Sequence, residues 1–274
     1  MYLLKNIQDS IPEEEIVTEA IARLKDSSEG LVFDPGEHRY FLGQAELRSV
    51  SSIVEHFAPF DELEKARSCA ANPKGPYFGM SAEEIIEAWH RNRDAAAAAG
   101  TAVHEFAEAC LLYRTGQARS IEKYRERVSS EGFLAESAKE EAVARWWENL
   151  DTNRYAVVAK ETMLANTELG YAGTMDLLLY DRMNGHFCLR DYKTNKDLFK
   201  SYGKKLTPPL DMIQASDHGK YTVQQNLYRI QLQNIGIQVN DMALIWLKDG
   251  GSYEEVTIPE YGRLITYAIK SIQS

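Results

Sequence analysis

Cysteine is scarce: Cys69, Cys110 and Cys188 are the three in 274 residues, widely spaced and odd in number. A disulfide framework is not expected from such a set, and a reducing cytoplasm fits it. Four cysteine ligands for an iron–sulfur cluster cannot be supplied. The chain has no uninterrupted apolar run of the ~18 residues that a membrane span needs. Its first residues, MYLLKNIQDSIPEEE, lack the basic stretch and following apolar stretch of a secretion signal, so a protein that is not secreted is expected. A G-x-x-x-x-G-K-[ST] phosphate cradle is missing, which leaves nucleotide-triphosphate chemistry unsupported. Internal repeats, low-complexity tails and obvious linkers are missing too. Positive charge is in deficit, with 31 Lys plus Arg against 41 Asp plus Glu and a formal net charge of −10. Taken alone, that deficit argues against a nucleic-acid partner, whose phosphates are contacted by Lys and Arg.

What is present is a foldable chain. Hydrophobic residues make up 44% and aromatics 10%, which excludes a largely disordered polypeptide. The charge is uneven. Residues 1–30 hold seven acids and three bases, whereas residues 190–205 (RDYKTNKDLFKSYGKK) hold six bases and two acids. Helical spacing of Ile11, Ile16, Ala20 and Leu24 predicts an amphipathic helix over 11–26. Short strands are expected in 31–50, with turns at Asp34-Pro35-Gly36 and Gly43-Gln44, and a helix at 51–57. Residues 61–70 and 81–115 read as helices, the second opened by a Ser81–Glu84 capping box and interrupted at Gly100. A helix over 131–150 follows. From Tyr155 the period changes to that of strands: YAVVAKETMLAN, YAGTMDLLLYD and HFCLRDYKT read as three in succession. A long loop over 194–220, a helix over 221–236, strands at 241–248 and 253–258, and a helix started by Pro259 complete the order. This order predicts an α/β fold with a helical N-terminal elaboration, in one domain spanning 1–274.

The chemistry concentrates in the three strands. Asp191 and Lys193, two apart, project from one face of a strand. Asp176, on the preceding strand, is one short turn away. Two carboxylates brought together repel unless a cation lies between them, and hard oxygen ligands suit Mg²⁺ or Mn²⁺. A lysine beside such a site can orient water or stabilise charge on a phosphate, which is the equipment of metal-assisted phosphodiester hydrolysis. D-x-K alone is a common tripeptide. Its weight here comes from charges set into apolar strands, where they need partners.

The order Asp176, then Asp191-Tyr192-Lys193, resembles the PD-(D/E)XK nuclease superfamily, and its RecB-like branch in particular. Gly100-Thr101-Ala102-Val103-His104 resembles the branch's G-T-x-x-H helix with a metal-ligating histidine. Gln224-Gln225-Asn226-Leu227-Tyr228 resembles its Q-x-x-x-Y helix, and Glu161 resembles the acid often found on the strand before the first Asp. The match covers roughly residues 95–250. Residues 31–57, with His38-Arg39-Tyr40 and Ser49–Val54, are similar to the lead-in of phage-type and mitochondrial single-strand exonucleases. Met175 departs from the superfamily's Pro, and the cysteines of the iron–sulfur members are absent.

That resemblance implies a restriction-endonuclease-like core over 95–274, a central mixed β-sheet flanked by helices, with 1–94 as the elaboration. It implies a metal-dependent exonuclease acting on DNA ends, with single strands favoured, in replication, repair or recombination, in the cytoplasm of a bacterial or phage-infected cell. Proteins of replication or recombination would be its partners. One or two Mg²⁺ or Mn²⁺ ions would be held by His104, Asp176, Asp191 and the Tyr192 carbonyl, with Lys193 as the catalytic lysine. Glu161 would bind metal through water or pair with Lys160 or Lys193. Gln224 and Tyr228, one helical turn apart, would fix Lys193 or touch DNA, or else close a helix face over the sheet. Lys196, Lys200, Lys204 and Lys205 would guide the strand. Trp146 and Trp147 are expected to pack rather than stack on bases. A structure-specific endonuclease and a non-catalytic DNA-end-binding module remain the alternatives.

Overall fold

The computed structural model describes residues 2–4, 14–37, 39–115 and 121–273; His38 and residues 11–13 of the first expected helix lie outside them. In chain order the elements are β1 (Tyr2–Leu4), α1 (Glu15–Ser28), β2 (Leu31–Asp34), β3 (Arg39–Leu42), β4 (Ala45–Ser49), α2 (Val50–Phe57), α3 (Glu62–Ala70), α4 (Ala82–Arg114), β5 (Phe133–Ala135), α5 (Ala138–Asn149), β6 (Tyr155–Asn166), β7 (Tyr171–Asp181), β8 (His186–Lys193), α6 (Asp217–Asn234), β9 (Val239–Leu247), β10 (Tyr253–Thr257) and α7 (Gly262–Ser271). The architecture is mixed α/β, a central mixed sheet between helices. Among the described residues eight strands share that sheet, in the order β10-β9-β8-β7-β4-β3-β2, with β6 on the other edge of β7. The pairs β4–β7 and β8–β9 are parallel and the rest antiparallel. Residues before 95 thus contribute β2 to β4 to the same sheet as the strands that follow.

Both faces of the sheet are covered, so the central strands read as apolar runs rather than alternating ones. One side packs α1, α2, α6 and α7 against residues such as Leu178, Leu189 and Leu244. The other side packs the second half of α4 and α5 against Leu177, Cys188, Tyr192 and Ile245. Trp146 and Trp147 belong to this second core at 2% exposure each, which is packing, as expected. The stripe that α1 buries is Val17, Ala20 and Leu24; Ile16 faces solvent instead.

Serine and aspartate caps set most helix starts. Ser49, Asp61, Ser81, Ser137 and Ser216 each accept a backbone N–H three residues on, a contact worth about 1 kcal/mol. These caps explain two departures from expectation, at α5 and α6; a third, at α7, has no side-chain cap. The helix expected over 131–150 begins at Ala138, because Ser137 and Glu140 form a capping box and Phe133–Ala135 pairs with β1. The helix expected from 221 begins at Asp217, after the Ser216 cap. The last helix starts at Gly262, beyond Pro259.

Helix α4 departs most. It runs unbroken for 33 residues through Gly100, and residues 91–99 are exposed on every side. With no packing to hold it, this stretch depends on the intrinsic preference of Ala95–Ala99 for the helix. The element is therefore an arch, fastened at Ile85 in its first turns and from Val103 onward. No helix among the described residues is long and apolar enough to cross a membrane.

Candidate active site

The register of β6, β7 and β8 builds the site. Lys160 pairs with Leu177 and Thr162 with Met175, so Glu161 stands opposite Asp176. On the other edge of β7 the last pair with β8 is Leu177 with Arg190, and the next step would place Asp176 opposite Asp191. Since β6 fills one edge of β7 throughout, β8 and β4 share the other, and β4 pairs at Tyr171 and Ala172. The sheet forks between them, at Asp176. There the carboxylate replaces the missing ladder bond, its Oδ2 accepting the Tyr192 N–H at 2.9 Å.

Three acids in neighbouring register positions repel one another. The fold answers with two cations from different elements. His104, on α4, reaches down so that Nδ1 lies 3.4 Å from Glu161 Oε1 and 3.4 Å from Asp176 Oδ2. One ligand atom from each of His104, Glu161 and Asp176 falls within 4.8 Å of the others. Lys193 Nζ lies 2.5 Å from Asp191 Oδ2, so that buried oxygen is ion-paired to the ammonium. Exposure grades from Asp191 (2%) and Asp176 (10%) to His104 (28%) and Glu161 (39%), so the cluster opens on the His104–Glu161 side. Glu161 has φ of 40°, a left-handed backbone that a side chain adopts only under constraint, a frequent feature of functional sites. Lys160 turns away and pairs with Glu108, so it does not neutralise Glu161.

Burial and charge together move the titrations. Burial raises the Asp176 carboxyl despite His104 and Lys193 nearby. Burial, then the Asp176 charge, pushes Asp191 up to about 6. Burial alone would lower His104, but Asp176, Glu161 and Asp191 lift it to about 9. Burial likewise opposes the charge of Lys193, yet Asp191 and Asp176 hold the ammonium more firmly than usual. In this state the imidazolium is the counter-ion of the acids.

The supporting shell comes from α6 and the segment after β8. Lys193 Nζ lies 4.3 Å from the centre of the Tyr221 ring, and the Tyr221 hydroxyl donates to Asn195 Oδ1 at 2.8 Å. Asn195 is held in turn by donating to Asp217 at 2.7 Å and by accepting the Trp246 indole N–H at 2.7 Å. Neither Tyr221 nor Asn195 is singled out by the motifs, although Tyr221 stands three before Gln224 on one helix face, a spacing that points to it. Tyr228, seven beyond Tyr221, is buried. A Cβ on Gly173 would come within 2.8 Å of both its ring and Val50, so glycine is what lets α6 and α2 close on β7. Burial and the two aspartates raise the Tyr228 phenol well above its usual range. Gln224 is half-buried beside a cavity.

Lys196, Lys200, Lys204 and Lys205 are exposed in the segment that leaves β8. That segment has no regular structure before Asp217 but is rooted in the core by Leu198, Leu206, Leu210 and Ile213. Tyr192 contributes its N–H, and its ring stands edge-on to His104 and Trp146 at 5.9 and 5.8 Å.

No family model matches the chain, and no curated protein matches it. Among solved structures it is similar to that of a "Putative exonuclease" from Eubacterium rectale, at 15% identity and a TM-score of 0.40, over 83% of this chain and 77% of that one.

Proposed function

We propose that the chain is a Mg²⁺- or Mn²⁺-dependent deoxyribonuclease of the RecB-like branch of the PD-(D/E)XK superfamily, an exonuclease that hydrolyses phosphodiesters at DNA ends and favours single strands. The observation that carries this reading is the meeting of His104, Glu161 and Asp176 ligand atoms within 4.8 Å, with the Asp191–Lys193 pair on the adjoining strand.

The donors fit a hard divalent cation: carboxylate oxygens and one imidazole converge, and three acids stand in neighbouring register positions. His104, Asp176 and Asp191 would hold it, with Glu161 directly or through water and the Tyr192 carbonyl completing the set. Such an ion acidifies bound water and offsets charge on the phosphate. The chain's own part follows from geometry. Lys193, fixed by Asp191 and the Tyr221 ring, presents its ammonium to the water or to a phosphate oxygen. In hydrolysis the water oxygen bonds to phosphorus as the bond to the leaving sugar oxygen breaks, and that oxygen takes up a proton. The lysines of 196–205 would draw the strand toward this point.

End-labelled linear single- and double-stranded DNA, beside a circular single strand, tests the reading with Mg²⁺, Mn²⁺ or EDTA. Wild type should degrade the linear single strand with metal and spare the circle, and Asp191→Ala should lose about 10³-fold in rate. Equal product from both proteins refutes catalysis at this site. Cleavage of the circle makes the protein an endonuclease, and binding of ends without product makes it a binding module.

A further inference from the structure

A groove of about 800 Å³ lies beside the candidate active site, between α2, α3, α4 and α6. Its walls combine aromatic Phe60, Trp89 and Tyr221, cationic Arg93 and Lys220, and the amide-bearing Gln224. Phe60 is 58% exposed, with its ring 6.2 Å from that of Trp89; Tyr77 braces Trp89 edge-on at 6.0 Å. Two acids, Glu55 and Glu62, also line it. Glu62 is engaged by His90 at 2.8 Å and by Arg93 at 3.8 Å, and Lys220 leans on Asp217 at 3.3 Å. The groove is thus an open aromatic shelf with a cationic rim, not a uniformly basic channel.

Two features tie it to the site. Tyr221 belongs to the groove wall and to the Lys193 contact at once. Along α4, Arg93 and His104 are eleven residues apart, about three turns, so they share a face and stand ~16 Å apart. Between them on that face lie Ala97 and Gly100, and a Cβ added at Gly100 would meet nothing within 4 Å.

We propose that this groove holds unpaired nucleotides of the substrate strand, a few positions from the scissile phosphate. Their bases stack on Trp89 and Phe60, and their phosphates face Arg93 and Lys220. The proposal rests on the nuclease reading above and gives it a physical source of strand preference. Bases in a duplex are already stacked and paired, and must be freed before an aromatic ring can receive them. Stacking accepts any base and adds roughly 5- to 150-fold in affinity for each.

The test uses fluorescein-labelled oligothymidylate, titrated by anisotropy in Ca²⁺, and two cleavage substrates in Mn²⁺: the same oligonucleotide and the p-nitrophenyl ester of thymidine 5′-monophosphate, too small to span from metal site to shelf. Trp89→Ala should weaken oligonucleotide binding at least tenfold, and should lower kcat/KM for the oligonucleotide at least tenfold relative to that for the ester. Trp89→Phe, which keeps a ring, should restore most of both. Binding by Trp89→Ala and Phe60→Ala within twofold of wild type overturns the proposal, as does an equal loss on duplex DNA. Should Trp89→Ala fail to fold, Phe60→Ala, whose ring is mostly exposed, decides alone. If wild type cleaves neither substrate the nuclease reading falls, and the anisotropy arm still decides the groove.

Discussion

A buried carboxylate among other carboxylates costs the folded chain stability unless a cation offsets it. Asp176 shows the balance. Burial raises its pKa even though His104 and Lys193 pull the other way. An acid whose folded pKa exceeds its unfolded value destabilises the fold at any pH where it is ionised in the unfolded chain. Asp176→Asn should therefore melt no lower than wild type in EDTA at pH 7.5, since asparagine Oδ1 can still accept the Tyr192 N–H. The variant should lose the rise in Tm that Mn²⁺ gives wild type by binding the native state alone. Thermal unfolding with and without Mn²⁺ checks this; a variant that melts well below wild type in EDTA would make Asp176 a structural anchor. At this scale Asp176, Asp191 and Lys193 were legible because acids and a lysine in apolar strands are anomalous wherever they fall, whereas His104, on helix α4, and Glu161 were marked only by the motif resemblance. Tyr221 and Asn195 were not, because a tyrosine on an amphipathic helix and an asparagine after a strand are ordinary until tertiary contact gives them a partner.

The elements differ in what holds them, and their substitutions should differ accordingly. Gly100 sits inside α4 without a positive φ and with open space where a Cβ would go. Gly100→Ala should stabilise the protein by about 0.5–1 kcal/mol, read as a higher urea midpoint; a loss would mean that the helix is kinked or contacted there. The hairpin joining β7 and β8 is held differently. Asp181, 1% exposed, accepts from Arg154 and from Asn184 and Met183 in the turn. Those bonds, the Arg154 one first, pull its pKa down to about 2. A depressed carboxylate contributes stability above its unfolded pKa of ~4 that is lost as pH falls through the folded value. Asp181→Asn should cost about 1–2 kcal/mol at pH 7, and the gap from wild type should narrow from pH 4 toward 2 in urea titrations. An unchanging gap would put the loss down to geometry, not charge. The β6–β8 meander was readable because each strand is long, rich in β-forming residues and bounded by turns. The three-residue β1 and β5 were not, since each exists through its partner. The continuity of α4 was hidden by a glycine that elsewhere ends helices.

For the whole molecule, a net charge of −10 confines any polyanion to the places where bases gather. The segment after β8 is one, with Lys196, Lys200, Lys204 and Lys205 exposed on a backbone rooted by buried leucines, next to Lys193. An acidic body with one basic entrance keeps association local and reversible. The salt dependence of binding measures this, because each phosphate neutralised on a single strand adds about 0.7 to the slope of log affinity against log salt. Replacing the four lysines by glutamine should lower that slope by up to about 3 and weaken binding at low salt, with thermal stability unchanged. A matched variant, with Lys25, Arg39, Arg145 and Lys270 replaced by glutamine, carries the same net charge and should keep the wild-type slope. All four of these side chains are exposed outside the segment. Equal slopes in the two variants would mean that the overall charge sets DNA affinity, and the segment after β8 would then have no special part in capturing the strand.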